Sequence, residues 1–377
     1  MRFEKDWGRL GLKLSDWKKV KLSELGTIVG GGTPSTKKEE YYGGNIPWIT
    51  PKDLANFGER YIEHGNRNIT LAGLENSSAK ILPAGSILFS SRAPIGYIAI
   101  AANNVSTNQG FKSIIPNSNV DSLFLYYLLK FNKDKIENMG SGTTFKEVSA
   151  SIMKSIEVFI PTEIVEQRKI SAILGAIDDK IENNKKINHH LEQMALSIFK
   201  EEFSKKEVTN KLGDFFPVIT GKKDANIAKG GEYPFFSCSQ NISYTDNYSF
   251  DARAILLAGN GDFNVKIFNG KFEAYQRTYV LIPNNDEHFG YLYYAIKYFL
   301  NDITSGHRGS VIKFITKGQI EHFDIFMTSN KEKLFLFNSF VENIANNNKE
   351  IDKLSNIRDT LLPKLLSGET SVNQAAK

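Results

Sequence analysis

A chain of 377 residues is longer than one ordinary core covers, so two or more domains are expected, and a composition that is 41% hydrophobic and 12% aromatic excludes a disordered chain. No apolar run approaches the ~20 residues of a membrane span, and Met1–Trp17 lacks the apolar core of a signal peptide. The lone Cys238 excludes an internal disulfide, so the reading is cytoplasmic; the net charge of +5, with its excess in residues 1–160, permits a polyanionic partner without demanding one.

The first expected unit covers residues 1–160. It opens on GGGTPST (Gly30–Thr36), which has no Gly-Lys-Ser/Thr ending and therefore reads as a turn and not as a phosphate-binding loop. Short apolar runs bounded by Gly, Pro and Asn follow (SILFSS, GYIAIAA, KSIIP) and predict strands. An amphipathic helix is expected around Ser122–Lys135, then a small polar loop, SGTTFKEV (Ser141–Val148), then a last strand over Ser155–Ile160.

At residue 161 the hydrophobic period changes from two to seven. Ile170, Ile177, Asn184, Leu191 and Ile198 form one row and Leu174, Ile181, Asn188 and Ala195 another. These two rows are the seam of a coiled-coil helix over 161–205, capped near Pro161 and Thr162 and roughly 60 Å long at ~1.5 Å per residue.

The second unit, 206–329, repeats the texture of the first. AILLAG, VKIF and TYVLIP predict strands; a helix is expected over Gly290–Asn301, a loop RGSVIKFI at Arg308–Ile315 and a strand over His322–Met327. A second seven-step helix spans 330–368, with Phe337, Ile344, Ile351, Arg358 and Leu365 beside Val341, Asn348, Ser355 and Leu362. Pro363, then SGE, should end or kink it near there, leaving a tail over 369–377.

These likenesses recur at one constant separation. Tyr126 falls on Tyr293, Gln109 on Gln276, Pro116 on Pro283, Gly142 on Gly309 and Lys146 on Lys313. NIPWIT (Asn45–Thr50) falls on EYPFFS (Glu232–Ser237) only after a longer step, so the first copy holds an extra loop. The expected architecture is mixed α/β: two similar globular units separated by two long antiparallel helices with pseudo-two-fold symmetry. Asn184, Asn188 and Asn348 interrupt the seam, either to fix register or because that section is wet.

Catalytic signatures are sparse. No G-x-S-x-G, H-E-x-x-H or C-x-x-C occurs. His189 and His190 are adjacent on a helix and face different ways, and Asp178-Asp179-Lys180 reads as a solvated charged face. A duplicated chain of this kind reads as a binder.

WKKVKLSELG (Trp17–Gly26), GGTPST, GNIPWITPKDL (Gly44–Leu54), ILPAGSILFSSRAPIGYIAIA, STNQGF, EQRKISAILGAIDDKI and the closing LLPKLLSGE together resemble the specificity subunit of a type I restriction–modification system. That resemblance implies two target-recognition domains, each reading one half of a split sequence in double-stranded DNA, with the helices setting the gap. It implies a non-catalytic subunit that docks two modification (methyltransferase) subunits, joined by restriction (motor–nuclease) subunits. S-adenosylmethionine, ATP and magnesium would bind those partners, and this chain would carry no cofactor and no metal.

For DNA contact, the two small polar loops offer hydroxyl and cationic groups to phosphates: Thr143, Thr144 and Lys146, and Ser310 and Lys313. For base reading the candidates are Lys52, Arg92, Asn108 and Gln109 in the first unit, and Asn260, Tyr275, Gln276, Arg277, His307 and Arg308 in the second. SSRAPIG places Arg92 on a tight turn between strands; AYQRTY places Arg277 within an aromatic-rich strand. Two other readings compete, a stand-alone nuclease or methyltransferase and a scaffold of long helices.

Overall fold

The computed structural model describes residues 17–141, 146–306 and 313–372. The chain divides into two compact units, Met1–Asn183 with Glu350–Lys377, and Asn184–Lys349. Each long helix gives one half to each unit.

In the first unit the elements run β1 (Trp17–Lys21), α1 (Leu22–Leu25), β2 (Gly26–Gly30), β3 (Tyr42–Ile49), α2 (Pro51–Leu54), β4 (Tyr61–Ile62), β5 (Arg67–Ile69) and α3 (Leu71–Glu75). Then come β6 (Ile87–Ser91), β7 (Ile95–Ala101), β8 (Ser106–Thr107), β9 (Lys112–Pro116), α4 (Ser122–Phe131), α5 (Lys133–Asn138), α6 (Ala150–Ser155), β10 (Glu157–Pro161) and α7 (Ile164–Glu202). The main sheet has the order β2-β9-β6-β7-β4, and β1 pairs antiparallel with β10.

Ile87, Leu88 and Phe89 of SILFSS are consecutive apolar residues because both faces of β6 are covered. Ile87 and Phe89 pack under α4 with Phe124, Leu125 and Leu128, while Leu88 points into a second cluster with Ile49, Ala99 and Phe111. Ile170 and Leu174 of α7 and Leu362 and Leu365 of the last helix join the α4 side of this core. Full burial of each such side chain contributes about 1.5–3 kcal/mol of transfer free energy.

The second unit continues with β11 (Asn210–Lys211), β12 (Val218–Thr220), β13 (Tyr233–Phe236), β14 (Ser243–Thr245), β15 (Phe250–Ala258), β16 (Val265–Ala274) and β17 (Thr278–Leu281). It closes with α8 (Phe289–Tyr298), α9 (Leu300–Ser305), α10 (Lys317–Glu321), β18 (Asp324–Ile325) and α11 (Lys331–Leu366). Its sheet order is β12-β17-β15-β16-β13-β14. The sequence β12-β17-β15-β16 repeats β2-β9-β6-β7, and β11 pairs β18 as β1 pairs β10. Ile255 and Leu257 face the α8 side and Leu256 the other, as in β6. The two units therefore share one topology, as the constant separation of their motifs predicts.

Within each unit α7 and α11 run antiparallel. In the first, Asp178 pairs with Arg358 (2.9 Å) and Lys180 with Glu350 (3.8 Å). In the second, Glu202 pairs with Lys333 (2.5 Å), and Asn188 lies between two asparagines of α11. Asn188 Nδ2 donates to Asn348 Oδ1 and Asn347 Nδ2 donates to Asn188 Oδ1, both at 2.8 Å. Asn184 is buried and Asn348 exposed, so the polar layer is both hydrogen-bonded and open to water on one side.

Three expectations need correction. The helix expected over Ser122–Lys135 breaks at Asn132, whose side-chain amide donates to Leu128 O (2.8 Å), the carbonyl that also takes the helix's last i→i−4 bond from Asn132 N (3.1 Å). Its copy likewise breaks at Phe299. α11 ends at Leu366, within one turn of Pro363, as expected; a proline in the last turn forfeits one hydrogen bond only. The last strand of the second unit is two residues long because β11 offers only two partners.

Asp178 is not on a solvated face. It is 4% exposed and accepts hydrogen bonds from Tyr127 Oη (2.7 Å) and Arg358 Nη1 (2.9 Å). Burial and the Asp178 carboxylate push the Tyr127 phenol up, so it stays a neutral donor. Arg60, also buried, donates Nε to Glu182 (2.9 Å) and Nη1 to Gly175 O (3.3 Å), and pairs with Asp179. Burial works against its charge, but the Glu182 and Asp179 carboxylates outweigh that and hold it cationic. Among the described residues, no helix is long and apolar enough to cross a membrane.

Candidate nucleic-acid interface

In the first unit, β2 runs into the glycine-rich turn, and Gly31 lies so close to the next segment that a Cβ would stand 2.0 Å from Asn108 O. Only glycine permits that approach. Gly32 N donates to Thr107 O (2.9 Å) and Trp48 Nε1 donates to Gly32 O (3.0 Å), pinning the turn against the Thr107–Gly110 bend. Asn108 N donates to Ile49 O (3.0 Å), and its Oδ1 accepts from Gly110 N (2.9 Å). Thr33 Oγ1 donates to Gln109 Oε1. Pro51, at the start of α2, flanks Gly110.

The same edge continues through Gly110 O, which accepts from Ser91 N (2.7 Å) and Ser91 Oγ (3.1 Å), and through Ser91 O, which accepts from Val148 N (2.9 Å). Arg92 bridges by backbone to Glu147, as expected for a residue on the turn between β6 and β7. The Glu147 carboxylate also sits between two cations, Arg92 (3.7 Å) and Lys112 (3.1 Å).

Lys52, Arg92, Asn108, Gln109 and Lys146 are thus brought onto one run of linked turns, with Lys52, Gln109 and Lys146 exposed. Asn108 is half-buried and its carbonyl oxygen holds its own turn, so it shapes the edge more than it faces outward. Sequence reading missed Lys112; its place in β9 next to Glu147 depends on strand register, which only the pairing of β9 with β2 and β6 reveals.

The second unit builds the same edge from different residues. A Cβ on Gly221 would stand 2.2 Å from Tyr275 O, the counterpart of Gly31 on Asn108. Gln276 N donates to Lys223 O (2.9 Å), Gly259 N to Arg277 O (2.8 Å) and Gly261 N to Lys313 O (2.9 Å). Asn260 bridges Phe314 as Arg92 bridges Glu147. Asn260, Tyr275, Gln276, Arg277 and Lys313 therefore converge, and Gln276, Arg277 and Lys313 are exposed.

Arg277 is not inside a strand, contrary to the sequence expectation. Gln276 and Arg277 form the turn between β16 and β17, because Thr278 N donates back to Tyr275 O (2.7 Å). Together with Thr220, Gly259, Tyr279 and Ile315 they line an open pocket. Lys222 and Lys223, also missed, are exposed on the turn after Gly221, where the first unit has Gly32 and Thr33. The signal was a lysine pair following the second copy's first strand. Burial pulls the Lys266 ammonium down, and it donates to Ser239 O (2.7 Å) and to Asn264 behind this edge.

Thr143, Thr144, His307, Arg308 and Ser310 lie outside the described residues. Among the described residues no three His, Cys, Asp or Glu side chains converge as a metal site, and His189 and His190 stand with ring centroids 6.0 Å apart.

Two edges of common backbone plan and different side chains suit two readers of one kind of ligand. A family model described as the type I restriction modification DNA specificity domain matches residues 14–193 and again 205–356. The type I restriction enzyme MjaIX specificity subunit of Methanocaldococcus jannaschii is 35% identical over 411 residues, covering 95% of this chain and 94% of its own. The EcoDI specificity subunit of Escherichia coli is 41% identical over 129 residues, 34% of this chain and 29% of that one. Among solved structures, the type I restriction–modification S subunit from M. genitalium aligns with a TM-score of 0.62 at 18% identity, covering 95% of this chain and 98% of its own, which speaks for the fold. Matched twice along its length, the chain belongs to the family of type I restriction–modification DNA specificity subunits, non-catalytic proteins with two recognition domains.

Proposed function

We propose that each unit reads one half of a split sequence in double-stranded DNA through the edge described above, and that α7 and α11 set the number of unread base pairs between the halves. The observation that carries this reading is the double edge: one pattern of turns, held by matched backbone bonds, presents Lys52, Arg92, Gln109 and Lys146 in one unit and Gln276, Arg277 and Lys313 in the other. Amide and guanidinium groups suit base edges in the major groove, and lysines suit phosphates. Two modest readers joined in one chain gain affinity through effective concentration. Such a target repeats every ~34–36 Å, so half-sites fall about a turn apart or in multiples of it.

In this reading the chain works in the cytoplasm with two modification subunits, joined by restriction subunits. S-adenosylmethionine, ATP and magnesium act on those partners, with methyl transfer to adenine and ATP-driven cleavage carried out there. The test is selection from a pool of randomised duplexes by the chain co-purified with its modification subunits. The expected result is two short fixed blocks around a gap of constant length; an uninterrupted block, or no enrichment, contradicts it. Methyl transfer or cleavage by the chain alone would favour a stand-alone enzyme, and indifference of the complex to sequence would favour a scaffold.

A further inference from the structure

We infer that Arg277 is a specificity-determining residue of the second unit, reading a guanine in its half-site through the major groove; this rests on the DNA-reading function proposed above. Three observations converge. The first is pairing. Arg60, Arg92, Arg168, Arg253 and Arg358 each face a carboxylate, and Arg67 stacks on Tyr42 at 4.3 Å. Among the described residues Arg277 is the one arginine with neither an ion pair to a carboxylate nor a ring beneath its guanidinium, though its charge is felt by the neighbouring Tyr279 phenol. An arginine left unpaired on an otherwise well-paired protein keeps its five donors available.

The second is rigidity. Arg277 O accepts from Gly259 N at 2.8 Å and from Cys238 Sγ at 3.5 Å. Its neighbours are fixed by Gln276 N to Lys223 O (2.9 Å), Thr278 N to Tyr275 O (2.7 Å) and Thr278 Oγ1 to Phe236 O (3.2 Å). The turn is thus tied to β13 and to the segments that follow β12 and β15, so the backbone that carries the guanidinium is held before binding.

The third is chemistry at the matched position. In the Thr107–Gly110 bend of the first unit Gln109 matches Gln276, and the position matched to Arg277 is Gly110, whose O accepts from Ser91 N as Arg277 O accepts from Gly259 N and which has no side chain to offer. The two edges therefore share a scaffold and differ in the donor set at the tip. A planar guanidinium matches guanine O6 and N7 in bidentate fashion, which an amide does not reproduce.

The experiment sequences methylated bases in cells carrying the full complex, with wild type, Arg277→Ala and Arg277→Lys. With wild type, one half of the split motif holds a fixed G·C pair. In Arg277→Ala, preference at that one pair falls about 5- to 150-fold while the other half and the gap stay. Arg277→Lys keeps a point charge and still loses most of the preference, since lysine lacks the fork. An Arg277→Ala motif identical to wild type overturns the inference, and so does an even loss of methylation at every sequence, which would make Arg277 a phosphate contact. A wild-type complex with no split motif would instead overturn the underlying reading.

Discussion

Asp178 and Asp179 are neighbours in sequence, and the structure assigns them opposite weights. Asp178→Ala removes the acceptor of Tyr127 Oη at 2.7 Å and of Arg358 Nη1 at 2.9 Å, at a position 4% exposed. A hydrogen bond to a charged group contributes about 1.5–3 kcal/mol and a neutral one about 1, and the stranded phenol adds a desolvation cost. Arg358 keeps Asp359 at 2.8 Å, which limits the loss. The expected destabilisation is about 2–4 kcal/mol. In Asp179→Ala, Arg60 keeps Glu182 and the lost carboxylate was 72% exposed, so about 0–1 kcal/mol is expected. Trp17 and Trp48 belong to the first unit and no tryptophan lies in residues 184–349, so tryptophan fluorescence in a urea titration follows the first unit. With a slope of about 2 kcal/mol per M, the midpoint should fall by about 1–2 M for Asp178→Ala and stay nearly fixed for Asp179→Ala. Equal shifts for the two variants would refute the assignment, as would equal loss of hydrogen-exchange protection across 206–329.

Gly31→Ala should disrupt the first edge, since its Cβ would meet backbone at 2.0 Å, costing about 1–3 kcal/mol and weakening DNA binding; Gly30→Ala, with open space around it, should be neutral in the same melting and binding assays. Lys222→Ala and Lys223→Ala should weaken binding evenly across sequences and each reduce the slope of log affinity against log salt by about 0.9, measured by fluorescence anisotropy of the complex. Burial raises the phenols of Tyr127 in the first unit and of Tyr291 and Tyr294 in the second. A raised acid keeps its proton in the folded state while the unfolded chain ionises near the ordinary 10.0, so this contribution is intact below that pH and lost progressively above it. Urea midpoints followed from neutral to alkaline pH should show a fall that starts there and not at lower pH.

Much of this architecture was legible because it is written twice. The Tyr126 and Tyr293 helices and the Gln109 and Gln276 bends recur at one separation, the β6 and β15 runs at one residue more, and a shared topology follows from that directly. What escaped is what depends on register and distant partners. Asp178 looks solvated in a heptad projection, yet Tyr127 and Arg358 approach it from another helix and the far end of the chain. Arg277 sits among Tyr275, Thr278 and Tyr279, a pattern that reads as strand, and only the bond from Thr278 N to Tyr275 O turns the chain there. Lys112 and the pair Lys222–Lys223 carry no motif; they matter because Glu147 and the close approach of Gly221 set them on the edges. Asn132 shows the limit of rules about breakers, since its side chain caps a helix that its apolar pattern continues, whereas α11 does end within a turn of Pro363.

In the function proposed above, two independent readers share one chain. Replacing residues 206–329 by the corresponding segment of a relative, then sequencing methylated bases in cells that carry the complex, tests this most directly. One block of the motif should change to a new sequence while the other block and the length of the gap are kept. If both blocks change together, or if the motif is unaltered, the two units do not divide the target between them.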